Sequence, residues 1–131
     1  MGTPRKNSLG DLQLAIMRVL WERGEASAGQ VHRSLLAERG LAPTTIATML
    51  RRMEDRGIVT HRREGRQFVY RPRVGEEEVH RSMVAELIER LFAGDPKALV
   101  NHLLREGEID LDELEALRSR IETRERGGRD D

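Results

Sequence analysis

Residues 41–73 read LAPTTIATMLRRMEDRGIVTHRREGRQFVYRPR, a run in which one periodicity gives way to another at a glycine. Before Gly57 the spacing is helical. At about 100° per residue, Ile46, Met49, Leu50 and Met53 fall on one side, and Thr44, Thr45, Thr48, Arg51 and Arg52 fall on the other. After Gly57 the period becomes two, which predicts strands at Ile58–Arg62 and Gln67–Arg71 around a turn at residues 63–66. This order is that of a recognition helix followed by a wing. One helix face can pack while the other can touch DNA. Thr is a mediocre helix former because its branched Cβ loses rotamer freedom, so propensity alone does not account for three of them outside the packing face. Their hydroxyls and methyls suit base edges and phosphates.

Upstream, an acid, an Arg and a Gly recur as Glu22-Arg23-Gly24, Glu38-Arg39-Gly40 and Asp55-Arg56-Gly57, three helix stops in a row. The first helix, Asp11–Arg23, lines up Leu12, Ala15, Ile16, Val19 and Leu20, with Trp21 at the edge of the stripe. A capping box at Ser27 and Gln30 starts the second, whose buried face is Ala28, Val31 and Leu35. Pro43 opens the third, where its missing N–H costs little. In the hairpin, Phe68 and Tyr70 share a face and Pro72 ends the second strand.

Downstream the pattern is helical again. A helix over residues 75–93 carries Val79, Met83, Val84, Leu87, Ile88, Leu91 and Phe92, a stripe about 220° wide where about 100° suffices to sit on one core. A second surface is expected to cover it. Asp95-Pro96 starts a helix to about Arg105 with Leu99, Val100, Leu103 and Leu104. Another begins after Asp110, capped with Glu113, and aligns Leu111, Leu114, Leu117 and Ile121. Residues 124–131 form a charged tail expected to fray. These helices are short, amphipathic and nearly free of aromatics, so pairing with another copy is expected to complete their core.

The formal net charge is zero, but its distribution is not even: residues 1–75 hold 14 Lys/Arg against 7 Asp/Glu, and residues 76–131 hold 9 against 16. A boundary near Val74 follows, with a DNA-binding domain at 1–75 and a helical dimerisation domain at 76–131. A basic half is the footprint of a polyanion partner, whereas an acidic half is repelled from DNA and suits protein contact. The plain alternative is two solvated surfaces. There is no Cys, which excludes disulfides, thiolate metal sites and cysteine nucleophiles. No stretch approaches the roughly 20 apolar residues of a membrane span, and no apolar run follows Arg5 and Lys6 as a secretory signal requires. A cytoplasmic protein without membrane insertion is expected. Of the four His, His80 has a helically spaced acid, Glu76, and that pair reads as a solvated helix face rather than a metal site. No phosphate loop, nucleophile elbow or zinc-protease motif is present, so neither catalysis nor a cofactor is expected.

The expected DNA contacts are Thr44, Thr45, Thr48, Arg51 and Arg52 on the helix, and Arg62, Arg63 and Arg66 around the wing tip. Wing contacts to phosphate would position without specifying. Against this stand pairing of Arg51 or Arg52 with Glu54 or Asp55, solvation of the wing Arg residues, and a winged helix that docks only on protein. The expected dimer-forming residues are Val79, Met83, Leu87, Leu91, Leu99, Leu103, Leu114, Leu117 and Ile121.

The segments Leu9-Gly10-Asp11-Leu12, Val19-Leu20-Trp21, Thr44 to Met53, and Leu91-Phe92-Ala93-Gly94-Asp95 leading to Leu99-Val100 resemble the BlaI/MecI penicillinase-repressor family, which also includes CopY-type repressors. The similarity covers about residues 9–122. It implies a homodimeric winged-helix repressor of a dyad-symmetric operator, released when a membrane metalloprotease sensor cleaves, or triggers cleavage of, the dimerisation region. It assigns operator contact to Thr44, Thr45, Thr48 and Arg52. Ala47 departs from members that carry a long basic side chain at this position, and His102-Leu103 stands where the staphylococcal members have the scissile Asn-Phe bond. Copper sensing through thiolates is set aside by the absence of Cys. The expected architecture is mainly α with a small β-hairpin wing: a winged helix-turn-helix followed by a C-terminal helical dimerisation region.

Overall fold

The computed structural model describes residues 8–129, so Arg5, Lys6 and the final Asp130 and Asp131 of the charged tail lie outside it. The order of elements is α1 (Asp11–Arg23), β1 (Ala26–Ser27), α2 (Ala28–Arg39), α3 (Pro43–Asp55), β2 (Val59–Glu64), β3 (Gln67–Pro72), α4 (Glu76–Phe92), α5 (Pro96–Arg105) and α6 (Leu111–Arg129). The architecture is mostly helical with one small antiparallel sheet in the order β1-β3-β2. Three helices and a winged hairpin make a winged helix-turn-helix.

Local chemistry accounts for most boundaries. Ser27 Oγ accepts from the Gln30 N–H at 3.2 Å while the Ser27 N–H donates to Gln30 Oε1 at 2.8 Å, so two end groups of α2 satisfy each other. Gly40 ends α2 in the left-handed conformation, φ +59°, that a side chain would resist. Ser27 also belongs to β1, pairing with Val69 while Ala26 pairs with Tyr70. Periodicity does not find this strand, because two residues carry no period and its partner is distant in sequence.

The chain forms two compact units, divided between Ala85 and Glu86. In the first, Ile16, Met17 and Leu20 of α1, Val31 of α2, and Ile46, Leu50 and Met53 of α3 are fully buried with Ile58 and Val79. Each such side chain contributes about 1.5–3 kcal/mol of burial. Trp21 closes the edge of this core, its Nε1–H donating to the Val74 carbonyl at 3.0 Å. Val79, expected to help form a dimer, is 0% exposed within its own chain and cannot also face a second copy. Met83 packs partly on the same core. The start of α4 therefore belongs to the first unit, and the division falls later than residue 75 because Val79 and Met83 pack on that unit's core.

The second unit contains the remainder of α4 with α5 and α6. Asp95 Oδ1 caps α5 by accepting from the Lys97 N–H at 3.0 Å, and Asp110 and Glu113 cap α6 reciprocally. No residue of α5 is buried, nor is any described side chain of α6. Leu87, Leu91, Leu117 and Ile121 are exposed, and Leu99, Leu103 and Leu114 are half-buried. The tail expected to fray from Arg124 is helical through Arg129.

Candidate nucleic-acid interface

The recognition face follows from how α3 packs. Pro43 sits in the first turn, and the fully buried Ile46, Leu50 and Met53 place one side of the helix inside. Thr44, Thr45, Arg51 and Arg52 are consequently exposed, with Thr48 and Ala47 half-buried between them. Among the described residues, neither Arg51 nor Arg52 makes a hydrogen bond or ion pair with an acid. Glu54, the nearest competitor, is engaged elsewhere. Two guanidinium groups and two Thr side chains on one helix face, without acceptors of their own, suit a ligand rich in acceptors.

The wing is a tight hairpin in which Glu64 pairs with Gln67, leaving Gly65 and Arg66 as the loop. Gly65 has φ +65°, as the first central position of a II′ turn requires. Alternation then separates the wing's basic residues. His61 and Arg63 lie on the face of Phe68 and Tyr70, whereas Thr60, Arg62 and Glu64 lie on the face of Val69 and Arg71. Among the described residues Arg63 Nε–H donates only to the nearby Gly65 carbonyl at 3.4 Å, and Arg66 is exposed at the tip.

Arg62 differs from the other two. Its guanidinium donates to both carboxylate oxygens of Glu25, in the turn before β1, and to Glu64 at 2.7 Å. The hydrogen bond from Arg62 holds the Glu25 carboxyl below the usual carboxylate range, and the two acids push the Arg62 guanidinium further up. Arg62, expected to reach DNA, is thus already neutralised by two carboxylates on the far face of the sheet. Strand alternation assigns it that face, but nothing local in the sequence names Glu25 as its partner.

On the other face, His61 Nδ1 lies 2.6 and 2.8 Å from the Glu54 carboxylate oxygens, and its ring centroid is 4.3 Å from that of Phe68. Burial, reinforced by the Glu54 charge, pushes the Tyr70 hydroxyl up, so this ring serves packing as a neutral group. Between α3 and the wing runs a groove of about 300 Å³ bounded by Ser27, Gly29, Ala47, Arg51 and the exposed edge of Phe68. A wider space of about 390 Å³ between α1 and α2 is lined by Arg18, Glu22, Glu38 and Arg39 and includes no residue of α3 or the wing. Mixed charge and distance from the Thr and Arg set make it a poor DNA site. His80 lies edge-on to Trp21 with centroids 6.4 Å apart.

A family model described as "Penicillinase repressor" matches residues 9–123. The chain is 28% identical to the penicillinase repressor of Bacillus licheniformis, covering 83% of this chain and 85% of that one. It is 36% identical to the transcriptional regulator BlaI of Mycobacterium tuberculosis, covering 91% and 86%. Among solved structures it is similar to the DNA-binding domain of the repressor BlaI, with a TM-score of 0.51 and 32% identity, covering 58% of this chain and 93% of that domain.

Proposed function

We propose that this chain, which belongs to the penicillinase repressor family and is a transcriptional repressor, grips one operator half-site with each copy of its first unit. In this reading α3 enters the major groove, Thr44, Thr45, Thr48 and Arg52 meet base edges and nearby phosphates, Arg51 lies at the rim, and Arg63 and Arg66 hold the backbone. The observation that carries it is the α3 face, where Arg51 and Arg52 have no acid partner among the described residues while the neighbouring Glu54 is taken by His61. The test is binding to duplex DNA across a salt series. A linear fall of log affinity with log salt, steeper on a selected duplex than the loss of one or two contacts would give, supports it, whereas salt-independent binding to protein alone favours a docking module.

The second unit joins two copies in this reading. Leu91 is 70% exposed, Leu111 70% and Ile121 58%, apolar surface that a second copy would cover. An obligate dimer of this kind would bury upwards of about 2,000 Å² in total. Sedimentation at micromolar concentration should give two chains per particle. Release belongs to the same reading: a membrane metalloprotease sensor would act on the second unit, at or near His102-Leu103. His102 is exposed and Leu103 half-buried in α5, with the His102 ring 5.8 Å from that of Phe92. No helix among the described residues is long and apolar enough to cross a membrane. We place the protein in the cytoplasm, acting without catalysis and without a cofactor.

A further inference from the structure

Glu54 is an acid in the last turn of the helix whose outer face carries the Thr and Arg set. Its carboxylate takes the Nδ1–H of His61, from β2, at 2.6 and 2.8 Å. The His61 ring in turn lies 4.3 Å from that of Phe68 and 5.5 Å from that of Tyr70, both on β3. One imidazole therefore ties α3 to both strands of the wing. With side chains 32% and 29% exposed, the pair is sheltered enough to escape the full screening of a surface ion pair.

The position of this tie matters because the wing is a lever. Gly65 lies about 13 Å along the strand from His61, so a tilt of about 10° there would move the tip by about 2 Å. That displacement separates a hydrogen bond from no contact. We propose that Glu54 is a positioning residue for operator binding: through His61 it sets the pitch of the wing against α3, so that the base-reading face and the phosphate contacts of Arg63 and Arg66 engage one duplex together. The inference rests on the operator-binding reading above and adds to it a coupling between the two contact sets.

Coulomb's law alone predicts the opposite sign. A carboxylate on a DNA-facing helix opposes a polyanion, so removing it should tighten binding. The experiment uses the full chain and a duplex that the wild-type protein selects from a random-sequence pool. Glu54→Ala should weaken binding by about tenfold, the size of one lost charge-assisted hydrogen bond. Glu54→Gln should recover most of this, because its amide oxygen still accepts from His61. Arg66→Ala should flatten the salt slope by about one in the wild-type background and by clearly less in the Glu54→Ala background. His61→Leu, which keeps apolar packing against Phe68, should behave as Glu54→Ala does and carries the test if the latter melts. The proposal is overturned by binding that is equal or tighter in Glu54→Ala, by identical Ala and Gln variants, or by an unchanged Arg66 increment. A wild-type chain that selects no duplex overturns the operator reading itself, a separate result.

Discussion

Replacing Arg62, Arg63 and Arg66 one at a time by Ala should divide three neighbouring wing arginines into two kinds. Each phosphate neutralised by a cation adds about 0.9 to the slope of log affinity against log salt. Raising salt fourfold, from about 50 to about 200 mM, therefore removes about 3.5-fold of affinity per contact. For Arg66→Ala, and for Arg63→Ala, the gap from wild type should narrow by about that factor across the series. Arg62 already donates to both oxygens of Glu25 and to Glu64, so its charge is answered within the protein. Its replacement should leave the slope unchanged. Fluorescence anisotropy on one labelled duplex, with stability checked by thermal melting, is sufficient. An Arg62→Ala slope as flat as that of Arg66→Ala would refute the reasoning, because it would mean that Arg62 leaves its carboxylates for phosphate on binding.

Arg52→Ala should cost about 1–3 kcal/mol on a selected duplex and relax preference at one base position, as competition against single-base variants would reveal; equal losses on random DNA would sink its reading role. Leu91→Asp changes a side chain that is 70% exposed in one chain. It should stay within about 0.5 kcal/mol if that surface faces water, but dissociate the particle at a cost of several kcal/mol if a second copy covers it, a difference that sedimentation resolves. Glu25→Gln should lower stability near neutral pH and matter less in acid. Arg62 holds the Glu25 carboxyl below its ordinary value, so the stabilisation is present above the ordinary carboxylate range and lost as pH falls through the lowered value. Melting curves of the two proteins should accordingly converge on acidification, and a constant gap would show that the pair contributes nothing.

What could be read from the sequence was what is local. The Ser27 box, Pro43 in the first turn of α3 and the Gly65 turn each act within a few residues, and the structure has each in place. The Thr and Arg face was legible because Ile46, Leu50 and Met53 leave only one side of α3 available. Partners were not legible. An apolar period shows that a face is covered but not by what, so Val79 reads as dimer surface although it lies in its own chain's core. Met17 falls outside the stripe of α1 yet is 0% exposed, because this helix is covered over a wider arc than its pattern demands. Likewise, alternation assigns Arg62 a face, whereas its acceptor Glu25 comes from 37 residues away. Both kinds of fact enter the proposed function: the face was readable, but which arginines already have carboxylate partners required the fold.

That division bears on how the two units would cooperate. A single winged-helix unit offers a handful of base and phosphate contacts, and loss of salt-dependent contacts alone takes such an interaction into the non-specific range. Linking two units makes the second half-site encounter intramolecular, at an effective concentration set by the linkage rather than by the protein in solution. Operator affinity would then depend on residues that never approach DNA, among them Leu87, Leu91 and Ile121. It would also depend on the integrity of α5. In one chain no residue of α5 is fully buried, so its cap, its own hydrogen bonds and the partial burial of Leu99 and Leu103 are what oppose local opening. A second copy packed on Leu99 and Leu103 would raise that cost. Proteolysis at His102-Leu103 would thus be slow in the paired state and fast in the separated one, and each cut would withdraw a chain from re-pairing. Repression would be released by trapping monomers rather than by attacking the bound dimer, so with protease unsaturated the fraction of repressor cut per unit time should fall as repressor concentration rises. A fraction cut per unit time that is indifferent to repressor concentration would show that the paired form is itself the substrate.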